Sequence, residues 1–439
     1  MPLPVTLRAL KYRDFRLFFA GQLISLVGTW MQNVAQSWLV YRLTGSALLL
    51  GMVGFCGQIP VFLMSPAGGI AADRSSRHRV VIGTQTASML LAFALAGLTL
   101  TGLVRIWHIF VLAALLGIVN AFDIPARQAF FTDMVGRGDL MNAIALNSAM
   151  FNASRIVGPA VAGILVASIG EGWCFFANAV SYIAVIAGLL LMESERYAAQ
   201  ARPNKGSAVA DVVEGFRFVV HRAPIHALLI LLGILSLTGM PFAVLMPIFA
   251  DRILHGGARA LGLLMGASGV GALAGALVLA TRESVHGLGK WVAASAGAFG
   301  AMLVLFGYSR WMWLSLMMMV AIGFSMMIEM GSSNTLIQTM SPDHLRGRVL
   351  SVYSMMFMGM APIGSLLAGV AAGRLGAPLT VAGGGVICAV AAGGFAFWLP
   401  SLRAEARQLI VAQGLAGGDP AQEMTGSGVA YEIAEDGRP

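Results

Sequence analysis

Charge is scarce in this sequence. Asp, Glu, Lys and Arg make up 11% of its 439 residues, against about 25% in ordinary soluble domains. Too few charges are present to clothe a water-facing surface, so a soluble globular protein is excluded. Cysteine is scarcer still. Cys56, Cys174 and Cys388 each fall in a different apolar segment, which argues against a disulfide framework or a CxxC metal site and leaves small packing residues. Catalytic signatures are missing as well. There is no HExxH, GxSxG or P-loop, and His78, His108, His221, His226, His255, His286 and His344 are scattered among loops and segment ends. An enzyme with its reacting groups gathered at one depth is therefore not expected, and neither is a cofactor.

What is abundant is apolar sequence: 58% of the chain, with 54 glycines. Windows of about 20 apolar residues, enough to cross a hydrocarbon core roughly 30 Å thick, recur along almost its whole length. Twelve are distinguished. In the first half they run Arg16 to Tyr41, Ser46 to Ala71, Arg79 to Gly102, Arg105 to Ala126, Met141 to Ile169 and Gly172 to Met192. In the second they run Ile225 to Ala250, Ala258 to Ala280, Leu288 to Tyr308, Trp311 to Thr335, Val349 to Gly373 and Ala377 to Leu399. Segments of this length must satisfy their backbone internally, so the fold class is all-α integral membrane, and a barrel is excluded.

Basic residues set the orientation. With both termini in the cytoplasm, 21 of the 28 Lys and Arg fall on the inner side, six fall outside, and Arg155 lies within a span. This bias also accounts for the net charge of +8 without a nucleic-acid partner. The basic N-terminal stretch leads into an apolar run lacking a small-residue cleavage site, and reads as a retained first helix.

Between spans six and seven the pattern breaks. Residues 194–223 begin as polar linker and end with Val209, Val212, Val213, Phe216, Val219 and Val220 at helical spacing, the sign of an amphipathic helix at the inner membrane surface. The chain thus divides into a six-helix half (1–193), this linker, a second six-helix half (224–400) and a polar tail (401–439) expected to be partly disordered.

The halves repeat. A shift of 206 residues aligns Trp107 with Trp313, Gly117 with Gly323, Gly158 with Gly364, Gly163 with Gly369 and Gly170 with Gly376. Between Trp107 and Gly170 only 10 of 64 positions are identical, so the signal lies in which residues match rather than how many. Paired halves of this kind are expected of a transporter whose site lies between them.

The same shift lands Asp123 on Glu329, near the inner ends of spans four and ten. An intramembrane carboxylate must face a partner, water or the bundle interior. Asp123 has Arg127 one turn on, so its role is pairing, proton coupling or a latch between halves. Glu329 lacks a sequence-local cation and is either a proton carrier or an interior hydrogen-bonding group.

These residues carry a resemblance. The stretch "GGIAADRSSRHR" between spans two and three is similar to the cytoplasmic loop signature of the major facilitator superfamily, with Gly69, Asp73, Arg74, Arg77 and Arg79 matching and Ser76 replacing a glycine. From about Leu7 to Leu402 the chain resembles the drug and siderophore exporters grouped with the enterobactin exporter and macrolide efflux proteins. That likeness rests on "NAFDIPARQAFFTDMV", "NSAMFNASRIVGPAVAGIL", "EGFRFV" and "PDHLRGRVLSVYSMM". Gly158, Pro159 and Gly163 resemble the span-five antiporter motif. Ala113 stands where drug/proton antiporters often carry an arginine, which leaves Arg155 to supply a buried positive charge and sets it beside Asp123, Arg127 and Glu329 as the expected coupling and gating residues.

On physical grounds Gly69 allows close helix contact, and Asp73 with Arg74, Arg77 and Arg79 forms either an inner-face latch or a purely topological basic loop. Gly158-Pro159 is expected to kink or loosen span five. Substrate-cavity candidates are Gln22, Asn33, Gln36, Gln58, Asn120, Asn147, Asn152 and Tyr353, while Trp30 and Trp38 serve either substrate or the membrane interface. The resemblance implies a monomeric, multi-pass protein of the bacterial inner membrane that exports amphipathic small molecules by alternating access, driven by protons. A lipid transporter and a facilitator without proton coupling remain open, and a membrane sensor or scaffold is the least favoured reading.

Overall fold

The computed structural model describes residues 5–136, 138–192, 208–282 and 284–417. The first part of the linker and the end of the tail lie outside the described residues. The described chain is helical throughout: a short 3-10 turn, Val5–Lys11, precedes α1 (Arg13–Thr44), α2 (Ala47–Arg74), α3 (Arg77–Leu100), α4 (Ile106–Val135), α5 (Leu140–Ile169) and α6 (Glu171–Leu190). Then come α7 (Ala208–Val220), α8 (Ala223–Ile253), α9 (Gly257–Ala280), α10 (Leu288–Tyr308), α11 (Met312–Met340), α12 (Asp343–Leu375) and α13 (Ala377–Gly417).

Eleven of these helices are long and apolar enough to cross a membrane. The first helix, α1, spans 32 residues, but Gln22, Gln32, Asn33 and Gln36 dilute its apolar character and it stands outside that set. It nevertheless packs in the bundle against α5 and α6. Several helices outrun their hydropathy windows: α4 continues past Ala126 to Val135, and α12 begins at Asp343 rather than Val349. Hydropathy reports where the lipid ends, whereas hydrogen bonding reports where the helix ends. Likewise α13 continues past Ser401, burying Leu402, Ala406 and Ile410.

Span seven is not a plain helix. Within α8, Leu235–Gly239 and Phe249–Ile253 are π-helical, flanking the stretch that contains Pro241 and Pro247. Prolines leave i−4 carbonyls without their donor, and a π turn is one way the chain absorbs that loss.

The first six helices pack as one group, chiefly α1 on α6, α2 on α4 and α3 on α6, and the last six pack equivalently, α8 on α13, α9 on α11 and α10 on α13. The aligned glycines show that the two groups are built alike. Gly117 of α4 lies against the Gly57 carbonyl of α2, and its counterpart Gly323 of α11 lies against the Ser268 carbonyl of α9. Gly158 of α5 abuts α1 at Val27, and Gly364 of α12 abuts α8 at Leu237. Gly170 and Gly376 both end their helices at positive φ, 90° and 86°, a conformation only glycine adopts without strain.

The groups meet along α5 with α9 and α2 with α12. A methyl added at Gly163 would lie 3.1 Å from Gly262 Cα, and one at Gly51 would lie 3.1 Å from Gly369 Cα. The repeat pair Gly163 and Gly369 therefore makes the matching crossings between halves. Both crossings lie toward the end of the bundle that carries the α1–α2, α5–α6 and α8–α9 turns, here called the far end. The opposite, near end carries Arg13, the α2–α3 and α4–α5 turns and α7.

Candidate functional site

Asp123 lies near the middle of α4 rather than at an inner helix end, because α4 runs on through Pro125. It is 3% exposed and fully engaged: Oδ1 accepts from Thr84 Oγ1 at 2.7 Å and from Gln85 Nε2 at 2.8 Å, and Oδ2 faces Arg127 Nε at 3.2 Å. The i, i+4 pairing expected from the sequence is present. Thr84 and Gln85 on α3 are the partners that sequence reading missed, since only folding brings α3 against α4.

Glu329 occupies the corresponding place on α11, also near the helix middle, and is 1% exposed. Its Oε1 accepts from Ser333 Oγ at 2.9 Å. Ser333 is the repeat counterpart of Arg127, so the same i, i+4 geometry holds a charge pair in one half and a carboxyl–hydroxyl contact in the other. None of the ion pairs among the described residues involves Glu329. The carboxyl borders a small cavity lined by Ser236 and Met240 of α8, Phe299 and Phe357, with room for about one water molecule. One wall is the π-helical stretch of α8, and π segments often sit at functional positions.

Removing Asp123 strands a cation, whereas neutralising Glu329 does not. Asp123→Asn is therefore expected to destabilise the protein by about 3 kcal/mol, the low end for a broken buried pair, because Arg127 keeps 21% of its side chain exposed. Thermal unfolding in detergent checks this, and a melting temperature equal to that of the unsubstituted protein contradicts it.

Arg155 sits at the middle of α5, half-buried, its guanidinium carbon 5.9 Å from the Trp30 ring centroid. Trp30 in turn meets Phe151 edge-on at 5.5 Å. Trp30 is thus mid-helix in α1, whereas Trp38 packs beside Tyr41.

At the near end, Arg77 organises the loop signature. It contacts Asp73 at 3.7 Å, pairs with Asp133 at 3.0 Å and donates to the Ala129 carbonyl at 3.4 Å, tying the start of α3 to the end of α4. Asp133 was not foreseen. Arg74 and Arg79 are exposed and take part in no ion pair among the described residues. The close contact expected of Gly69 is made by its neighbour: nothing lies within 4 Å of a methyl at Gly69, while Gly68 packs on Ala121 and Phe122. One residue of helix turns a side chain through about 100°, enough to exchange a packed face for an open one. Lys11 also pairs with Asp139 at 2.6 Å, and that hydrogen bond, with a second from Tyr12, holds the Asp139 carboxyl below its ordinary range. This tie persists at neutral pH and is lost only as pH falls through that lowered range.

The helix-five motif serves packing on two sides. Gly158 seats α1, Gly163 seats α9, and α5 contains Pro159 within its helical span. Across the far end, Tyr41 donates to Asp251 Oδ2 at 2.7 Å and accepts from Arg252 Nε at 3.2 Å, while Arg252 also reaches the Gly45 carbonyl at 3.4 Å. This lock joins the two halves through the second π segment of α8. Its two charged members stand at a span end, where sequence alone does not separate a gate from a topology signal.

The cavity candidates divide. Gln22 is buried, Asn152 donates to the Ser148 carbonyl of its own helix, and Tyr353 donates to the Met330 carbonyl of α11; Gln22 Oε1 and Asn152 Oδ1 are buried without a partner among the described residues. Asn33 and Gln58 are exposed, and Gln36, Asn120 and Asn147 are half-buried.

Over residues 5–417 the sequence matches the family described as transmembrane secretion effector. It is 26% identical over 364 residues to the staphyloferrin A transporter of Staphylococcus aureus, covering 82% of this chain and 90% of that one. It is 29% identical over 361 residues to the multidrug efflux pump Tap of Mycolicibacterium fortuitum, covering 80% and 88%. The fold resembles the crystal structure of a peptide transporter, POT, with a TM-score of 0.71 at 12% identity, covering 89% and 95%. The relatives are transporters rather than enzymes.

Proposed function

Because this chain belongs to the transmembrane secretion effector family, within the major facilitator superfamily, we propose that it exports amphipathic small molecules by alternating access, driven by protons. The siderophore and multidrug transporters it resembles support the direction and the cargo class. In this reading α1 is the twelfth span, the protein works as a monomer in the bacterial inner membrane, and both termini and the near end face the cytoplasm. The far end is sealed by the Tyr41, Asp251 and Arg252 lock and the two glycine crossings. The ion pairs of Lys11, Arg77 and Arg348 at the near end each join elements on one side of the seam. Cargo then enters from the cytoplasm, and the inner-face cluster around Arg77 braces α2, α3 and α4 as the halves rock.

The observation that carries proton coupling is the contrast between Asp123, neutralised by Arg127, and Glu329, served by one hydroxyl beside a water-sized void. A carboxylate in the second setting has little to replace the water it gives up. Glu329 is the proton carrier in this account, and Asp123 with Arg127 is the fixed counterpart. Inverted membrane vesicles test the reading: an exported dye accumulates when the vesicle interior is acid, and accumulation stops when the gradient is collapsed. Accumulation that survives the collapse overturns proton coupling, and passive equilibration alone points to a facilitator.

A further inference from the structure

A guanidinium placed at the middle of a membrane helix must be accounted for. In α5, Arg155 lies about 15 residues from either end, roughly 22 Å of helix, too far for its side chain to reach the headgroups. It makes no hydrogen bond and no ion pair among the described residues. The half-buried side chain lies beside Trp30 instead, and a ring face replaces only part of the hydration that the charge loses. By contrast, Arg127, in the second half of α4, is paired with Asp123.

The surroundings of Arg155 are those of a seam. On one side α5 is pressed on α1 through Gly158. On the other, the Arg155 carbonyl lies against Gly269 of α9, in the opposite half. A group at mid-depth, between halves, with unused planar donors, the Trp30 ring beside it and Phe151 against that ring, is suited to a ligand that is flat, partly apolar and negatively charged. Asn33, one turn along α1 from Trp30 and exposed, adds a polar contact on the same face.

We infer that Arg155 is a cargo-binding residue: it receives a carboxylate or comparable oxyanion of the transported molecule, whose apolar part rests on Trp30 and Phe151. This rests on the transporter reading above and narrows it, from amphipathic molecules in general to organic anions. Cationic amphiphiles are disfavoured at the same place by like charge.

The test is equilibrium binding to the full-length protein in lipid nanodiscs of three probes with one ring system and different charge: naphthoate, naphthamide and naphthylmethylammonium. The unsubstituted protein is expected to bind naphthoate about tenfold more tightly than naphthamide, with the cation weakest. Arg155→Gln brings naphthoate to the level of naphthamide, and a melting temperature matching that of the unsubstituted protein shows that the variant is folded. Arg155→Lys retains a preference for the anion. Equal binding of anion and amide by the unsubstituted protein, no binding of any probe, or a preference that survives Arg155→Gln overturns the assignment. The comparison within the unsubstituted protein decides even where a variant does not fold. Since no gradient is involved, an anion preference without gradient-driven transport removes the export reading and keeps the subsite; export without an anion preference does the reverse.

Discussion

Glu329→Gln is expected to abolish accumulation of cargo against its gradient, a fall on the order of tenfold or more to the level of vesicles lacking the protein, while exchange of cargo across the membrane continues. The substitution keeps side-chain length and an oxygen that accepts from Ser333, so the packing around the small cavity stays as it is. What it removes is the ability to gain and lose a proton. A carrier whose only titratable step is fixed in the neutral form still rocks and still binds, but nothing ties its motion to the proton gradient. Stability should change little, because no cation is left behind. That separates it from Asp123→Asn, which strands Arg127. Counterflow measured beside gradient-driven uptake distinguishes the outcomes: loss of both points to a structural role for Glu329, and retention of both removes it from the mechanism.

The second large effect is steric. A methyl at Gly262 would fall 2.5 Å from the Pro159 carbonyl oxygen and 2.7 Å from Gly163 Cα, and both are backbone atoms of α5. Neither yields as a flexible side chain does, so Gly262→Leu must part α5 from α9 at the far end. Each half keeps its own packing, and the protein is expected to reach the membrane at normal levels. Transport is expected to fall by at least about tenfold, since the closed far end is one of the two states an alternating carrier must visit. Gly266→Ala is the comparison: a methyl there lies 3.6 Å from the Ile156 carbonyl oxygen, an ordinary contact. Cysteine accessibility at Ala258, which is buried and whose carbonyl lies against Gly163, should rise with Gly262→Leu and stay low with Gly266→Ala. Full transport by Gly262→Leu contradicts the role given to this crossing.

Much of this architecture is written in the chain at two periods. The period of a membrane span gave helices and their order, because lipid demands an unbroken apolar stretch. The longer period of 206 residues carried more than its few identities suggest: Gly163 and Gly369 turn out to make the same kind of contact in opposite halves, and Asp123 and Glu329 stand in equivalent places. What the sequence could not show were partners fixed by packing. Thr84 and Gln85 reach Asp123 from α3, Asp133 receives Arg77, and Asp251 meets Tyr41 across the far end. Each of these joins residues from different helices, and helical spacing says nothing about which faces meet. Gly68 in place of Gly69 is the same lesson at one-residue resolution. Gly262, Gly266 and Gly269 stand at near-helical spacing in the chain, and only folding sets them against the other half. The π segments of α8 escaped because hydropathy is blind to hydrogen-bond register, although Pro241 and Pro247 marked the place.

The central claim is that cargo and protons exchange through one carrier, with Glu329 as the proton site. Proteoliposomes holding the purified protein and a pH-sensitive dye, with no imposed pH gradient, test it from the reverse direction. When an outward-directed gradient of a cargo is imposed, the account predicts proton movement in the opposite sense to the cargo, and none with Glu329→Gln even though cargo still crosses. Cargo movement by the unsubstituted protein with no accompanying change in lumenal pH would contradict it.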